Sequence, residues 1–257
     1  MIKFELLQLL SQRKWRWVII SVVIAGMNLL MIGTGAQEQN LWSGLVTVFS
    51  QQFLSMIVMP CLFICLISDL ILGDIDNGAI GYTFPRSTSR FSWLVAKVIS
   101  LFASAIIFTS ICLFAYLVTG IVLGLPLEKG WETLLFKIPV APATVILTIV
   151  CNYIFTLTAF GMCILMLSIL TRNAIVSWAV GVLISVMGYM SWMYLELRPF
   201  NQWFPTAQMM FLLQIPNTIT EDLFTIHWSV VYNTGLFISS FLLSFYRMRK
   251  MNLSRKD

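Results

Sequence analysis

From residue 17 onward the chain alternates long apolar runs with short polar breaks. The runs fall at about 17–36, 44–72, 93–123, 143–170, 174–195 and 228–246. Each approaches or exceeds the roughly 20 residues that a helix needs to cross a bilayer. The second and third are longer than that, which implies tilt, protrusion or, in the second, a kink at Pro60. Ahead of them, Ile2, Leu6, Leu9 and Leu10 recur at helical spacing, with Lys3, Gln8, Gln12 and Arg13 interleaved. That pattern predicts an amphipathic helix over 1–16 lying in the membrane interface, closed by the basic and tryptophan-rich stretch Arg13–Trp17. A cleaved signal peptide is the competing reading. It fits less well, because an apolar-periodic helix precedes the basic cluster and the run behind it is nearly long enough to span. The expected fold is an all-α membrane protein, a single unit over 1–257 with six transmembrane helices.

Composition supports this. Of 257 residues, 59% are hydrophobic and 11% charged, against about 25% charged in soluble domains; the mean hydropathy is +0.88. A soluble fold would lack the polar surface to cover its core. The formal net charge is +5, but the basic residues flank apolar runs instead of forming a stripe, so nucleic acid is not an expected partner and the lipid bilayer is. With both termini on one side of six spans, the N-terminal segment, the 73–97 stretch, the 171–173 turn and the tail hold 13 of the 16 Lys and Arg. That side is then cytoplasmic. Lys129, Lys137 and Arg198 remain on the other. All five cysteines lie inside predicted spans, without metal-site or disulfide spacing, and read as small apolar fillers.

Catalytic chemistry is sparse. No G-x-x-x-x-G-K-[ST] phosphate loop occurs. His227 is the one histidine, at the edge of the sixth run beside Trp228, so neither a metal site nor a catalytic site is expected. Asp69 is the single acid within a predicted span, one turn from its end. Uncharged polar residues inside the spans include Asn28, Gln51, Gln52, Asn152 and Asn233. They either hydrogen-bond between helices, the commoner use, or line a solute path; Asn28, Gln51, Gln52 and Asn152 are the candidate path residues.

The polar break between the second and third runs, Gly73–Lys97, has more structure than a plain turn. Asp74 can cap a short helix, Gly78 and Gly81 permit close backbone approach, Pro85 ends the helix, and Ser87 or Ser89 can cap the next span. Asp74, Asp76, Gly78, Pro85, Ser89, Arg90 and Lys97 together resemble the first cytoplasmic loop of ABC-2 type transporter permeases. That family usually has glutamates, Gly-Thr and a Ser-Arg nearer the proline, where this chain has aspartates, Gly78-Ala79 and an intervening Arg86-Ser87-Thr88. The resemblance extends to the interfacial helix, the six spans, the tight 171–173 turn and the long 196–227 connection with Trp203-Phe204-Pro205.

The resemblance implies a coupling helix at Asp74–Pro85, docked by a separate nucleotide-binding ABC ATPase that carries ATP and Mg. Asp74, Asp76, Gly78, Pro85, Ser89 and Arg90 are the docking residues, and this chain binds no cofactor and is no enzyme itself. It also implies a second permease chain, identical or paralogous, and short re-entrant outer helices between spans 5 and 6. Location in a bacterial plasma membrane follows, with both termini cytoplasmic. Aromatics at Tyr189, Trp192, Tyr194, Phe200, Trp203 and Phe204 suit export of an amphiphile such as an antimicrobial peptide, drug or lipid-like molecule, in the manner of a bacteriocin-resistance exporter; an interfacial aromatic belt looks the same. A non-transporting anchor or sensor subunit that binds a peptide is the alternative. An intramembrane enzyme would need clustered His, Glu or Asp, which the chain does not offer.

Overall fold

A computed structural model describes residues 14–35, 41, 45–46, 49, 51–67, 90–126, 142–210 and 225–250. Among these residues all regular structure is helical. The main helices are α1 (Lys14–Gly35), α2 (Leu54–Ile67), α3 (Arg90–Val122), α4 (Pro142–Thr171), α5 (Ala174–Met193) and α6 (Ile226–Lys250). Four stretches are long and apolar enough to cross a membrane: Arg90–Val122, Thr144–Thr171, Ile175–Met193 and Ile226–Lys250. Trp17–Met27 and Leu54–Ile67 form shorter apolar helices.

Local chemistry sets the ends. Gly124 adopts φ 71° just beyond α3. There Leu125 N–H donates to the Gly120 carbonyl and Gly124 N–H to that of Ile121, both at 3.0 Å, a Schellman closure that a residue with a Cβ would strain. Pro142 opens α4 at the position where its missing N–H costs nothing. Between α4 and α5, Arg172 takes the left-handed conformation at φ 53°. Asn173 then caps α5, its Oδ1 accepting from Ile175 N–H at 2.9 Å and Val176 N–H at 3.2 Å. The tight turn expected at 171–173 is thus built from one left-handed residue and one N-cap. The perturbation anticipated at Pro60 takes a particular form. Leu54–Val58 is a π turn in which Met59 N–H reaches back to the Leu54 carbonyl. A proline ring crowds the carbonyl four residues earlier, here Met56, which lies inside that wider turn.

Helices α5 and α6 are turned inside out relative to those of a soluble bundle. On α6 the buried positions are Ser229, Asn233, Ser240, Ser244 and Met248, whereas Val230, Val231, Ile238, Leu242 and Leu243 are exposed. On α5, Ser177, Gly181, Ser185, Gly188 and Ser191 face inward while Ile175, Leu183, Met187 and Met190 face out. A water-soluble helix buries its apolar stripe. Where lipid is the solvent, small and polar residues gain by packing between helices and the apolar stripe costs nothing outside. The chain is therefore a membrane protein.

Small residues set how closely the helices approach. A Cβ on Gly181 would lie 2.7 Å from Ile164 Cδ1 and 2.8 Å from Ile64 Cδ1, and one on Gly161 2.8 Å from Leu101 Cδ1. The core between them is aromatic and aliphatic, with Phe63 packed edge-on to Phe108 at 5.6 Å. Lys14–Arg16 already belong to α1. The interfacial helix expected over 1–16 lies otherwise outside the described residues. So do Asp69, Asp74, Asp76, Gly78, Pro85 and Ser89, together with the loop over 127–141.

Candidate functional site

The most extensive helix interface among the described residues joins α4 to α6, and it is polar at one end. Asn152 and Thr156 on α4 lie one turn apart, as do Ser229 and Asn233 on α6, so each pair presents one face to the other helix. Ser229 Oγ donates to Asn152 Oδ1 at 3.3 Å. Asn233 Nδ2 donates to Thr156 Oγ1 at 2.8 Å and to Ser229 Oγ at 3.4 Å. Thr156 Oγ1 in turn donates to the Asn152 carbonyl at 2.8 Å. All four residues are buried.

A strap formed by residues 194–210 covers this seam. It contains the 3-10 turn Leu195–Leu197, the single helical turn Arg198–Asn201 and the 3-10 turn Ala207–Met209. Side chains of the bundle hold its carbonyls. Asn152 Nδ2 donates to the Gln208 carbonyl at 3.0 Å, Trp228 Nε1 to the Gln202 carbonyl at 3.4 Å, and Tyr232 OH to the Trp203 carbonyl at 2.6 Å. Within the strap, Gln208 Nε2 donates to the Gln202 carbonyl at 2.6 Å. Its inner side is anchored by a second hydrophobic cluster of Met56, Trp192, Ala207 and Met210, flanked by Tyr189, Phe204 and Trp228. Edge-on aromatic pairs ring it: Trp203–Trp228 at 5.3 Å, Phe53–Tyr189 at 5.9 Å and, deeper, Phe49–Tyr153 at 5.3 Å.

Several buried polar atoms here have no hydrogen-bond partner among the described residues. They are both amide atoms of Asn201, Thr206 Oγ1 and Asn233 Oδ1. The same holds for the Tyr116 and Tyr153 hydroxyls in the core. A buried polar atom left without a partner costs about 1–3 kcal/mol. Thr206 Oγ1 also faces Gly188, where any Cβ would collide with it.

At the opposite end of α6, Arg90 Nη1, on the first residue of α3, donates to the Met248 carbonyl at 2.6 Å and the Arg249 carbonyl at 2.9 Å. Phe91 beside it packs edge-on to Phe245 at 5.7 Å and Phe241 at 6.3 Å. Lys97, one turn above Trp93, is buried with Nζ 5.7 Å from that ring centroid.

Of the path residues expected from the sequence, Asn152 stands at the centre of the seam. Gln51 and Gln52 are half-buried at the entrance to α2. Gln51 Oε1 accepts from Leu54 N–H at 2.7 Å, so it caps the π turn, which in turn touches the Ala207–Met209 turn. The Asn28 side chain is outside what is described. Of the docking residues only Arg90 is described. Sequence reasoning missed Thr156, Ser229, Asn201, Thr206 and Gln208. The readable signal was a pair of i, i+4 polar doublets on two apolar helices, Asn152/Thr156 and Ser229/Asn233. The seam offers neutral donors and acceptors and no charge, which suits amide or hydroxyl groups and not proton abstraction. Among the described residues no three His, Cys, Asp or Glu gather as a metal site would require.

The chain belongs to the DUF2705 family, described as proteins of unknown function, whose profile matches residues 17–254. No curated protein matches it.

Proposed function

We propose that this DUF2705 member is the six-span permease subunit of an ATP-driven exporter in a bacterial plasma membrane, moving an amphiphile outward with energy from a separate ATPase. The observation that carries this reading is the 73–97 stretch, whose Asp74, Asp76, Gly78, Pro85, Ser89 and Arg90 resemble the coupling loop of ABC-2 type permeases. In this reading α1 and α2 complete the set of spans, the termini are cytoplasmic, and the 194–210 strap is the re-entrant outer element. The neutral polar seam supports it: an amphiphile offers polar groups that amides and hydroxyls can satisfy and an apolar body that suits the surrounding aromatics. A second permease chain, the same or a paralogue, completes the transporter. ATP and Mg are held by the partner ATPase.

The test is co-purification of the affinity-tagged chain from its native membrane in mild detergent, with bound proteins identified. A nucleotide-binding ATPase recovered in equal amount, and loosened by Gly78→Val, is the expected result. Recovery of the chain without an ATPase sinks the exporter reading and leaves a peptide-binding anchor or sensor subunit.

A further inference from the structure

We infer that Arg90 is a positioning residue that ties the start of α3 to the end of α6, and through α6 to the strap over the polar seam. The purpose assigned to this tie rests on the exporter reading; the tie itself does not. Arg90 and Phe91 open α3, and both grip the last three turns of α6. One guanidinium nitrogen bonds two carbonyls 158 and 159 residues away, and the Phe91 ring meets two α6 rings. Those carbonyls belong to the final turn of α6, where helix carbonyls lack intrahelical donors. Arg247, Arg249 and Lys250 already complement the helix dipole there, so Arg90 adds fixed geometry more than charge.

α6 is able to carry a displacement along its length. Its 25 residues make a rod of about 37 Å, free of proline. The buried stripe of α6 is mostly hydroxyls and amides, groups that can exchange hydrogen-bond partners, with Met248 and the rings of Phe237, Phe241 and Phe245 packed against the core toward its end. Its far end carries Trp228, Ser229 and Tyr232. Two of these donate to strap carbonyls, and Ser229 bonds Asn152, which donates to a third. The strap is the element that this tie would move: as it stands it buries Ala207 and Met210 against Trp192, and lifting it would hydrate the Asn201 amide, Thr206 Oγ1 and Asn233 Oδ1, which have no partner among the described residues. A displacement of the start of α3 at Arg90 therefore bears on the strap as well as on α3, and α6 is its second output.

The test uses the full chain in native membranes with its five cysteines replaced and Ser229→Cys as reporter, a buried position under the strap. A membrane-impermeant maleimide is applied to intact cells and to inside-out vesicles, so that either orientation of the chain is read. Arg90→Ala is expected to raise the labelling rate about tenfold, the change that a loss of about 1.4 kcal/mol of closing free energy produces. Phe91→Ala should raise it less, and Arg90→Lys, which keeps a donor at the same place, should restore much of the protection. Unchanged labelling in Arg90→Ala chains that insert and melt normally overturns the tie. If Arg90→Ala fails to insert, unchanged labelling in Phe91→Ala and in Arg90→Met, which keeps the aliphatic stem but no donor, overturns it equally. Because the readout is labelling of Ser229→Cys and not recovery of an ATPase, a failure here is separate from a failure of the exporter reading.

Discussion

Asn152 and Asn233 look alike in sequence, each an asparagine in an apolar helix, but the structure assigns them unequal energies. Replacing Asn152 by Ala removes the amide that donates to the Gln208 carbonyl and the oxygen that accepts from Ser229 Oγ. The first partner is a strap carbonyl and the second a buried hydroxyl. Interhelical hydrogen bonds in membranes average about 0.6 kcal/mol and reach about 1.7, and stripping a buried polar group of its partner costs about 1–3 kcal/mol. Asn152→Ala should therefore destabilise by about 2–3 kcal/mol. Replacing Asn233 by Ala removes donors to Thr156 Oγ1 and Ser229 Oγ. Thr156 still donates to the Asn152 carbonyl, Ser229 still donates to Asn152, and the partnerless Asn233 Oδ1 goes too. The net cost should be about 0.5–1 kcal/mol. Equilibrium unfolding in mixed micelles with rising sodium dodecyl sulfate, followed by tryptophan fluorescence, reads both, since Trp203 and Trp228 pack together at the strap. The Asn152→Ala/Ser229→Ala pair should fall short of additive, because both changes break the same bond. An Asn233→Ala cost equal to or above that of Asn152→Ala would refute the view that the seam's main task is to hold the strap.

Gly181→Ala, whose Cβ meets Ile164 and Ile64 at under 3 Å, should destabilise by about 1–3 kcal/mol in the same micelle assay. Gly235→Ala, with nothing within 4 Å, should stabilise by about 0.5–1 kcal/mol through helix propensity alone. Removing the α5 cap with Asn173→Ala should cost about 1 kcal/mol, read as a lowered midpoint, and Asn173→Ser should recover most of it.

The positions of the helices were legible because a bilayer demands about 20 apolar residues in a row and little else imitates that pattern. The run expected at 143–170 appears as Pro142–Thr171, and that at 174–195 as Ala174–Met193. The turn between them was legible too, since asparagine is a favoured cap and tolerates few better uses in an apolar context. What the pattern hides is rotation about each helix axis. In a soluble helix the hydrophobic stripe announces the buried face, but α5 and α6 are apolar on most sides, and only the placement of Ser, Gly and Asn marks the inward one. The i, i+4 spacing of Ser229 and Asn233 carried that information. Its use depended on knowing that α4 offered Asn152 and Thr156 at the same depth, which no local pattern states.

The strap was harder still to read. Residues 194–210 look like a polar and aromatic loop, and a count of charges places Arg198 and Glu196 there without saying that Asn201, Thr206 and Gln208 turn inward. Burial of that kind follows from chain geometry: α5 ends at Met193, the connection is drawn back over Gly188, and Thr206 occupies the space that a side chain there would fill. A glycine in the middle of an apolar helix has two readings, contact with another helix or contact with a loop. Gly181 is the first, against Ile64 and Ile164, and Gly188 is the second. The difference matters for mechanism, because helix against helix through Gly181 is an aliphatic contact, whereas strap against helix at Gly188 is made by Thr206, whose hydroxyl has no partner among the described residues, and by Phe204. The strap is thus held in place away from Gly188, by the cluster of Trp192, Ala207 and Met210 and by the bonds from Asn152, Trp228 and Tyr232 to strap carbonyls.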